Sequence, residues 1–302
     1  MANYTLLKRL SCIVHITTHK GCVSKQELIK RLLCDYDIDT TPRTFERDLK
    51  NLKDNFGIEI SYNRAERGYL LVEEDNSVHR FLKFAEFSSL AEIYEEGMRD
   101  YSSFNKYVIP DDSSAFTGLH NMARILKAIT LSRKLTFRKE NYLNKTSKTY
   151  TVTPLRLKEY LKRWYLIAVP EDIEDIRSFG LDRINNLQIT DKNAQTKKAY
   201  EKQIEAYGDV VGLNFDETDE VQKVMLSVES NQLKYLKSLP LHKSQVCLDS
   251  GDDWGTVIYK LKPNYELEMQ LLKMGEKVVV MEPKWLRKKM KNRINEMMSN
   301  YV

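Results

Sequence analysis

The stretch Pro42–Asn55 constrains this chain more than any other part of it. Thr41-Pro42 is a helix start signal, an N-cap hydroxyl followed by proline at the first helical position. At 100° per residue, Phe45, Leu49, Leu52 and Phe56 form one narrow apolar stripe. Arg43, Arg47 and Lys50 fall within about 60° of one another on the opposite side. Asn51 flanks that polar face and Thr44 sits near the helix start. A helix so divided must sink one side into a core and leave a cationic side to solvent or to an anionic partner.

The neighbouring segments supply that core. Leu6, Leu10, Ile13, Val14 and Thr17 recur at helical spacing, which predicts a first helix over 4–18. Ser24-Lys25-Gln26-Glu27 reads as a capping box that opens a second helix burying Leu28 and Leu32. After Gly57, the alternation Ile58–Tyr62 predicts a strand, Asn63–Gly68 a turn holding Arg64 and Arg67, and Tyr69–Val72 a second strand. Three short helices and a β-hairpin make a winged helix-turn-helix, whose third helix fits the major groove. The competing reading is a three-helix interaction module, because residues 1–75 carry twelve basic and twelve acidic side chains. The charge concentrated on one helix face and one turn favours DNA, with Arg43, Thr44, Arg47, Lys50, Asn51, Arg64 and Arg67 as the candidate contacts. Arg43-Thr44-Phe45-Glu46-Arg47-Asp48-Leu49, followed by Leu52 and Gly57-Ile58, resembles the recognition helix of the bacterial DeoR-like winged-helix regulators. Asp48 lies beside the apolar stripe and reads as a helix-packing residue.

Residues 78–100 read as helix with Phe81, Phe84, Phe87, Leu90, Ala91 and Tyr94 apolar, fitting a core helix and a dimerisation helix equally. Tyr101–Ser114 reads as a loop. Phe116–Leu131 reads as helix with Leu119, Met122, Ala123, Leu126 and Ile129 on one face. Five short strands then follow, Lys134–Lys139, Lys148–Leu157, Lys162–Val169, Ile176–Ile184 and Leu187–Thr190, suggesting a small Sm- or SH3-like barrel. Charge divides along this region. Arg124–Arg163 holds twelve basic residues against two acids, whereas Trp164–Glu220 holds six against thirteen. If Ile176–Ile184 is an unbroken strand, Arg177, Phe179, Leu181 and Arg183 share a face. Two guanidiniums bracketing a ring suit a pocket for a planar anion, since Arg forks match phosphate and rings stack on bases. Alternatively, these arginines pair with the acids of Glu171–Asp175 or with Asp182.

Trp164-Tyr165-Leu166, with Pro154-Leu155 before it and Arg177-Ser178-Phe179-Gly180-Leu181-Asp182-Arg183-Ile184 after it, resembles the WYL domain. Phe137-Arg138-Lys139 departs from the family where a tyrosine is common. The resemblance implies a bacterial transcriptional regulator whose Sm-like barrel senses a nucleotide or short nucleic acid. The candidate effector-binding residues are Lys139, Arg156, Trp164, Tyr165, Arg177, Phe179 and Arg183.

Beyond a polar helix at Asn193–Tyr207, the order over 213–302 reads βαββαβ plus a last helix, Pro283–Tyr301, a ferredoxin-like arrangement. Lys284–Arg293 carries six cations and no acid, which reads first as a solvated face. Leu271-Leu272 with Gly275, and Glu282-Pro283 with Leu286-Arg287, resemble the WCX extension found after WYL domains, implying a role in dimerisation and in shaping the sensor. The expected class is α+β, in four parts: 1–75 the DNA-binding domain, 76–115 a helical linker, 116–192 the sensor and 213–302 the C-terminal domain.

Enzyme chemistry finds little support. The eleven glycines form neither GxxxxGK[ST] nor GxGxxG, and HExxH and GxSxG are missing. The five histidines lack ligand spacing, so no metal and no cofactor are expected. Asp111-Asp112 and Asp252-Asp253 read as turn formers. The four cysteines show no CxxC, fitting reduced thiols in the cytoplasm. No apolar run nears the roughly 20 residues a membrane helix needs. The expected partners are operator DNA, a nucleotide or oligonucleotide effector and a second copy of the chain; the rival expectation is a nucleic-acid-processing enzyme or accessory protein using the basic barrel directly.

Overall fold

Helix α1 (Ala2–Lys20) buries Leu10, Ile13 and Val14 against α2 (Lys25–Tyr36) and α3 (Pro42–Phe56). The computed structural model describes residues 2–72, 76–107, 118–140, 146–173, 175–195, 197–215, 219–248, 251 and 253–301. Asp111, Asp112 and Asp252 lie outside them. The chain divides into two units, Met1–Asp111 and Asp112–Val302.

In the first unit the predicted caps close the helices. Ser24 Oγ accepts from the Glu27 amide at 3.2 Å, although the Glu27 carboxylate turns to Arg31 at 2.7 Å rather than back to Ser24. Thr41 caps α3, and Gly57 ends it at φ 68, a left-handed conformation that glycine adopts at least cost. Strands β1 (Ile60–Asn63) and β2 (Gly68–Leu71) pair antiparallel around a tight turn, and Val23 bridges to Tyr69.

Helix α4 (Asn76–Arg99) is not a separate linker at its start. Val78, Phe81 and Ala85 are buried, and the Phe81 ring meets Phe56 edge-on at 4.7 Å. Beyond that point its apolar side chains are open to solvent. The loop expected at Tyr101–Ser114 begins instead as helix α5 (Tyr101–Tyr107), with Phe104 against Tyr94 at 5.5 Å; residues 108–117 lie outside the described ones.

The second unit holds two sheets, and every pairing between their described strands is antiparallel. A single 3-10 turn, Leu119–Asn121, leads into helix α6 (Met122–Thr130). This helix buries Ile125 and Ala128, flanked by Met122 and Ile129. The face expected from Leu119, Ala123 and Leu126 is therefore displaced: Ala123 is exposed and Leu126 is 50% exposed. Gly118 is fixed by crowding, since a Cβ on it would stand 2.1 Å from the Leu181 carbonyl oxygen.

The first sheet comprises β3 (Arg133–Glu140), β4 (Ser147–Tyr160), β5 (Arg163–Pro170), β6 (Arg177–Gly180) and β7 (Ile184–Asn193), in the order β6-β5-β4-β3-β7. The expected strand Ile176–Ile184 is broken. A 3-10 turn at Leu181–Arg183 separates β6 from β7, directly after Gly180. β7 is accordingly longer than the expected Leu187–Thr190. The helix expected at Asn193–Tyr207 shortens to a 3-10 turn, Lys197–Tyr200, and α7 (Glu201–Ala206).

The C-terminal elements are β8 (Gln222–Glu229), α8 (Ser230–Ser238), β9 (Val246–Leu248), β10 (Trp254–Leu261), α9 (Tyr265–Lys273), β11 (Val278–Glu282) and α10 (Lys284–Ser299). Their strands run β11-β8-β10-β9. Val224, Leu226 and Val228 alternate inward from β8 onto Leu267, Leu271, Leu286 and Met290 of the covering helices. Among the described residues no helix is long and apolar enough to cross a membrane.

Candidate functional site: a cationic helix face and an aromatic cleft

On α3, Phe45 and Leu52 are fully buried while Arg43, Arg47 and Lys50 are exposed. Thr44 and Asn51 are half-buried and serve the helix itself. The Thr44 hydroxyl lies 3.0 Å from that of Thr41, and Asn51 Oδ1 accepts from Asn55 at 3.3 Å. Two acids share this surface: Glu46 is neutralised by Lys25 of α2 at 2.5 Å, and Asp54 stands exposed towards the end of the helix. Arg64 and Arg67 stand exposed on the turn between β1 and β2, shaped by Asn63 Oδ1, which accepts from the Ala65 amide at 2.9 Å. Asp48 has no exposed surface, and both its oxygens accept from Arg9 of α1, one at 3.0 Å from Nη2. This contact fixes the rotation of α3 about its axis and so decides which side faces out.

The second unit holds an open cleft of about 810 Å³. One wall is the first sheet: Lys139, Tyr150, Arg177 and Phe179. The Phe179 ring packs edge-on against Phe137 and Tyr150, each at 5.2 Å, and Lys139 Nζ lies 5.4 Å from the Phe179 centroid. The facing wall comes from α7 and the segment after it, through Gln203, Tyr207, Asn214 and Phe215. Tyr207 and Phe215 meet edge-on at 4.9 Å, and the Tyr207 hydroxyl lies 3.1 Å from that of Ser178. Burial raises the Tyr207 pKa, so this phenol stays protonated.

Electrostatics mark the sheet wall as an anion acceptor. Burial, and then the nearby Arg183 and Arg177, lower the Lys139 pKa from its ordinary value. The nearby acids are only partly engaged elsewhere, since Asp175 itself lines the cleft. Glu171 pairs with Lys134 at 2.7 Å, Asp172 with Lys148 at 2.6 Å, and Asp182 stands 3.8 Å from Arg163 and 3.9 Å from Arg183. Among the described residues, no carboxylate lies within ion-pair distance of Arg177.

The far wall is anchored to the start of helix α9. Glu266 Oε1 accepts from the amides of Leu213 and Asn214 at 3.2 and 3.1 Å and from Asn214 Nδ2 at 2.7 Å. Asn264 Nδ2 donates to the carbonyls of Val211 and Asn214, each at 2.7 Å. Gly212 (φ 82) must lack a side chain, since a Cβ would meet Glu266 Cγ at 2.7 Å.

Of the residues expected from sequence, Lys139, Arg177 and Phe179 come together in this cleft, with Arg183 close enough to act on Lys139. Arg183 does not share the strand face of Arg177, because the 3-10 turn intervenes. Trp164 is half-buried against the core cluster and is not among the residues lining the cleft. Arg156 is exposed and also outside the lining. Tyr165 is half-buried opposite Gly180, with its pKa raised by burial, and does not line the cleft either. Sequence reasoning missed Tyr150, Tyr207 and Phe215. Only Tyr150 had a signal, its place opposite Phe137 in the β3–β4 register.

Comparison with known families settles what the second unit is. Residues 120–189 match the WYL domain and residues 220–298 the WCX domain. The chain carries a WYL domain followed by a WCX domain. The cleft thus lies on the WYL sheet, and Glu266 and Asn264 belong to the WCX domain. Two solved structures are similar to the chain. The proteasome accessory factor B/C (PafBC) of Arthrobacter aurescens is 17% identical, covering 97% of this chain and 46% of its own, with a TM-score of 0.30. A CRISPR Cas-related protein is 13% identical, covering 99% and 85%, with a TM-score of 0.40. The chain therefore spans about half the length of PafBC. No curated protein matches it.

Proposed function

We propose that this WYL- and WCX-containing chain is a DNA-binding transcriptional regulator that responds to a nucleotide or short nucleic acid. The observation that carries the reading is the division of α3, with Arg43, Arg47 and Lys50 exposed and Phe45 and Leu52 sunk in the core. We read the first unit as a winged helix-turn-helix, with α3 in the major groove and Arg64 and Arg67 on the wing against flanking backbone. We read the WYL sheet as an Sm-like barrel and the WCX domain as ferredoxin-like, its strand order being β11-β8-β10-β9. A gel shift on the duplex upstream of the protein's own gene tests the reading. Metal-dependent cleavage of a labelled strand would instead make the chain a processing enzyme.

The effector role rests on the cleft. Tyr150 and Phe215 offer ring surfaces, while Lys139 and Arg177 offer cations for a phosphate. Binding of a labelled 5′-phosphorylated oligodeoxynucleotide is expected to weaken at least tenfold in Arg177→Ala, the size of a lost charge-assisted hydrogen bond of about 1.5–3 kcal/mol. Lys139→Met is expected to weaken binding too, yet to raise the melting temperature at neutral pH. The depressed pKa means that folding disfavours the ammonium form; that cost is present below the folded pKa and disappears as pH rises past the unfolded value. Fluorescence anisotropy and thermal melts read both quantities. Unchanged affinity in both variants would remove the cleft from the mechanism.

Pairing of two copies is part of the reading, because two half-sites need two recognition helices. Phe84, Phe87, Tyr94 and Met98 of α4 are between 41% and 76% exposed, and they fall with Ala91 at the alternating three- and four-residue spacing of a coiled-coil seam.

A further inference from the structure

Helix α10 carries its charge where helix electrostatics disfavour it. Its six cations sort into two groups. Lys289 Nζ and Arg293 Nε turn inward, each 2.6 Å from the carboxylate of Glu268, which is 1% exposed. Lys284, Arg287, Lys288 and Lys291 recur at i, i+3, i+4 and i+7, so they share roughly 100° of helix surface directed away from the buried Leu286 and Met290. All four are exposed, and among the described residues none has an acidic partner. Glu282, the acid just before the helix, is held by Lys223 at 3.4 Å.

This arrangement breaks two local rules. Lys284, Arg287 and Lys288 lie in the first five positions of the helix, at the positive end of its dipole, where cations are unfavourable. The four also repel one another, because residues three and four apart are neighbours on a helix. Among the described residues, nothing compensates the outer four as Glu268 compensates the inner two. Local violations without internal compensation are the mark of a functional site, and a ridge of this kind calls for a polyanion.

Charge complementarity narrows the choice. Seven residues at 1.5 Å rise span about 10.5 Å, so four cations crowd one short face, a match for the dense negative charge of a duplex, about one per 1.7 Å of its axis. Ammonium and guanidinium groups on long stems position a backbone, while sequence is read by contacts to base edges in the grooves. We propose that the outer ridge of α10 is a second nucleic-acid site, taking the phosphate backbone of duplex DNA irrespective of sequence. This inference does not depend on α3.

The test compares the full-length chain with a variant carrying Lys284→Gln, Arg287→Gln, Lys288→Gln and Lys291→Gln. Affinity for a random-sequence duplex is measured by anisotropy across a salt series. The slope of log affinity against log salt is expected to flatten by about 3 to 4, at about 0.9 per neutralised phosphate. Affinity at low salt should fall at least tenfold, while the melting temperature holds or rises as the repulsion is relieved. An Arg43→Ala, Arg47→Ala, Lys50→Ala variant runs in parallel. If that variant binds the random duplex normally while the ridge variant does not, the ridge carries the sequence-independent binding without α3. Unchanged slope and affinity in the ridge variant overturn the proposal, as does a drop in melting temperature. Loss of binding confined to single strands or to phosphatidylserine vesicles, with duplex binding intact, overturns it as well.

Discussion

Alanine at Arg43, Arg47 and Lys50 together is expected to weaken binding to the gene's own upstream duplex by at least about a hundredfold. Each good base contact is worth about 1–3 kcal/mol, and each 1.4 kcal/mol is a factor of ten, so even the lower bound summed over three side chains reaches that size. The melting temperature should not move, because all three side chains are exposed and substitutions at such positions usually stay within about 0.5 kcal/mol. Gel shifts and thermal melts on the same preparations check both halves. Retained affinity would show that α3 does not meet DNA. Loss of affinity together with unfolding would leave the role of the face undecided, and single substitutions at Arg43 and Arg47 would then separate contact from fold.

Asp48→Ala is expected to destabilise the first unit severely. The substitution strips Arg9, itself only 12% exposed at its side chain, of the carboxylate that holds it. Breaking a buried ion pair by removing one partner costs about 3–5 kcal/mol, because the remaining charge is left buried and uncompensated. That is a large share of the roughly 5–15 kcal/mol by which domains are stable. The paired change Arg9→Met with Asp48→Leu should recover most of the loss, since apolar groups of similar volume commonly replace such pairs without penalty. Urea unfolding followed on the first unit's own transition measures both variants. A loss under about 1 kcal/mol for Asp48→Ala would mean that the pair does not hold α3 in register.

These two expectations mark how far the sequence could be read. The helix-forming segments of the first unit, their caps and the outward side of α3 follow from local signals: Thr41-Pro42, Gly57, and a stripe in which apolar residues recur with the helical period. Asp48 was legible as a packing residue from its angle beside Phe45. Its partner Arg9 was not, because nothing local connects positions 39 residues apart. The WYL tripeptide was legible as a motif. Trp164 is half-buried against the hydrophobic core, and the cleft joins Lys139, Arg177 and Phe179, named from sequence, to Tyr207 and Phe215, which lie outside the motif stretches.

Where the reading of local pattern failed, two patterns competed. On α6, Leu126 and Ile125 each complete a plausible apolar face, and periodicity alone cannot decide between faces offset by 100°; contact with Leu135 and Phe137 selects Ile125. At Phe179-Gly180-Leu181 the shared face required an unbroken strand across a glycine, and the chain turns there instead. Isolated glycine inside a strand pattern is itself a signal for such a break.

The hydrogen bonds from Glu266 and Asn264 to residues 211–214 make the boundary between the two matched domains a seam only on paper. A fragment cut at the end of the WYL match would keep Lys139, Arg177 and Phe179 yet lose Tyr207 and Phe215 opposite them. It would be half a vise, with the fixed jaw present and the screw left behind in the WCX domain.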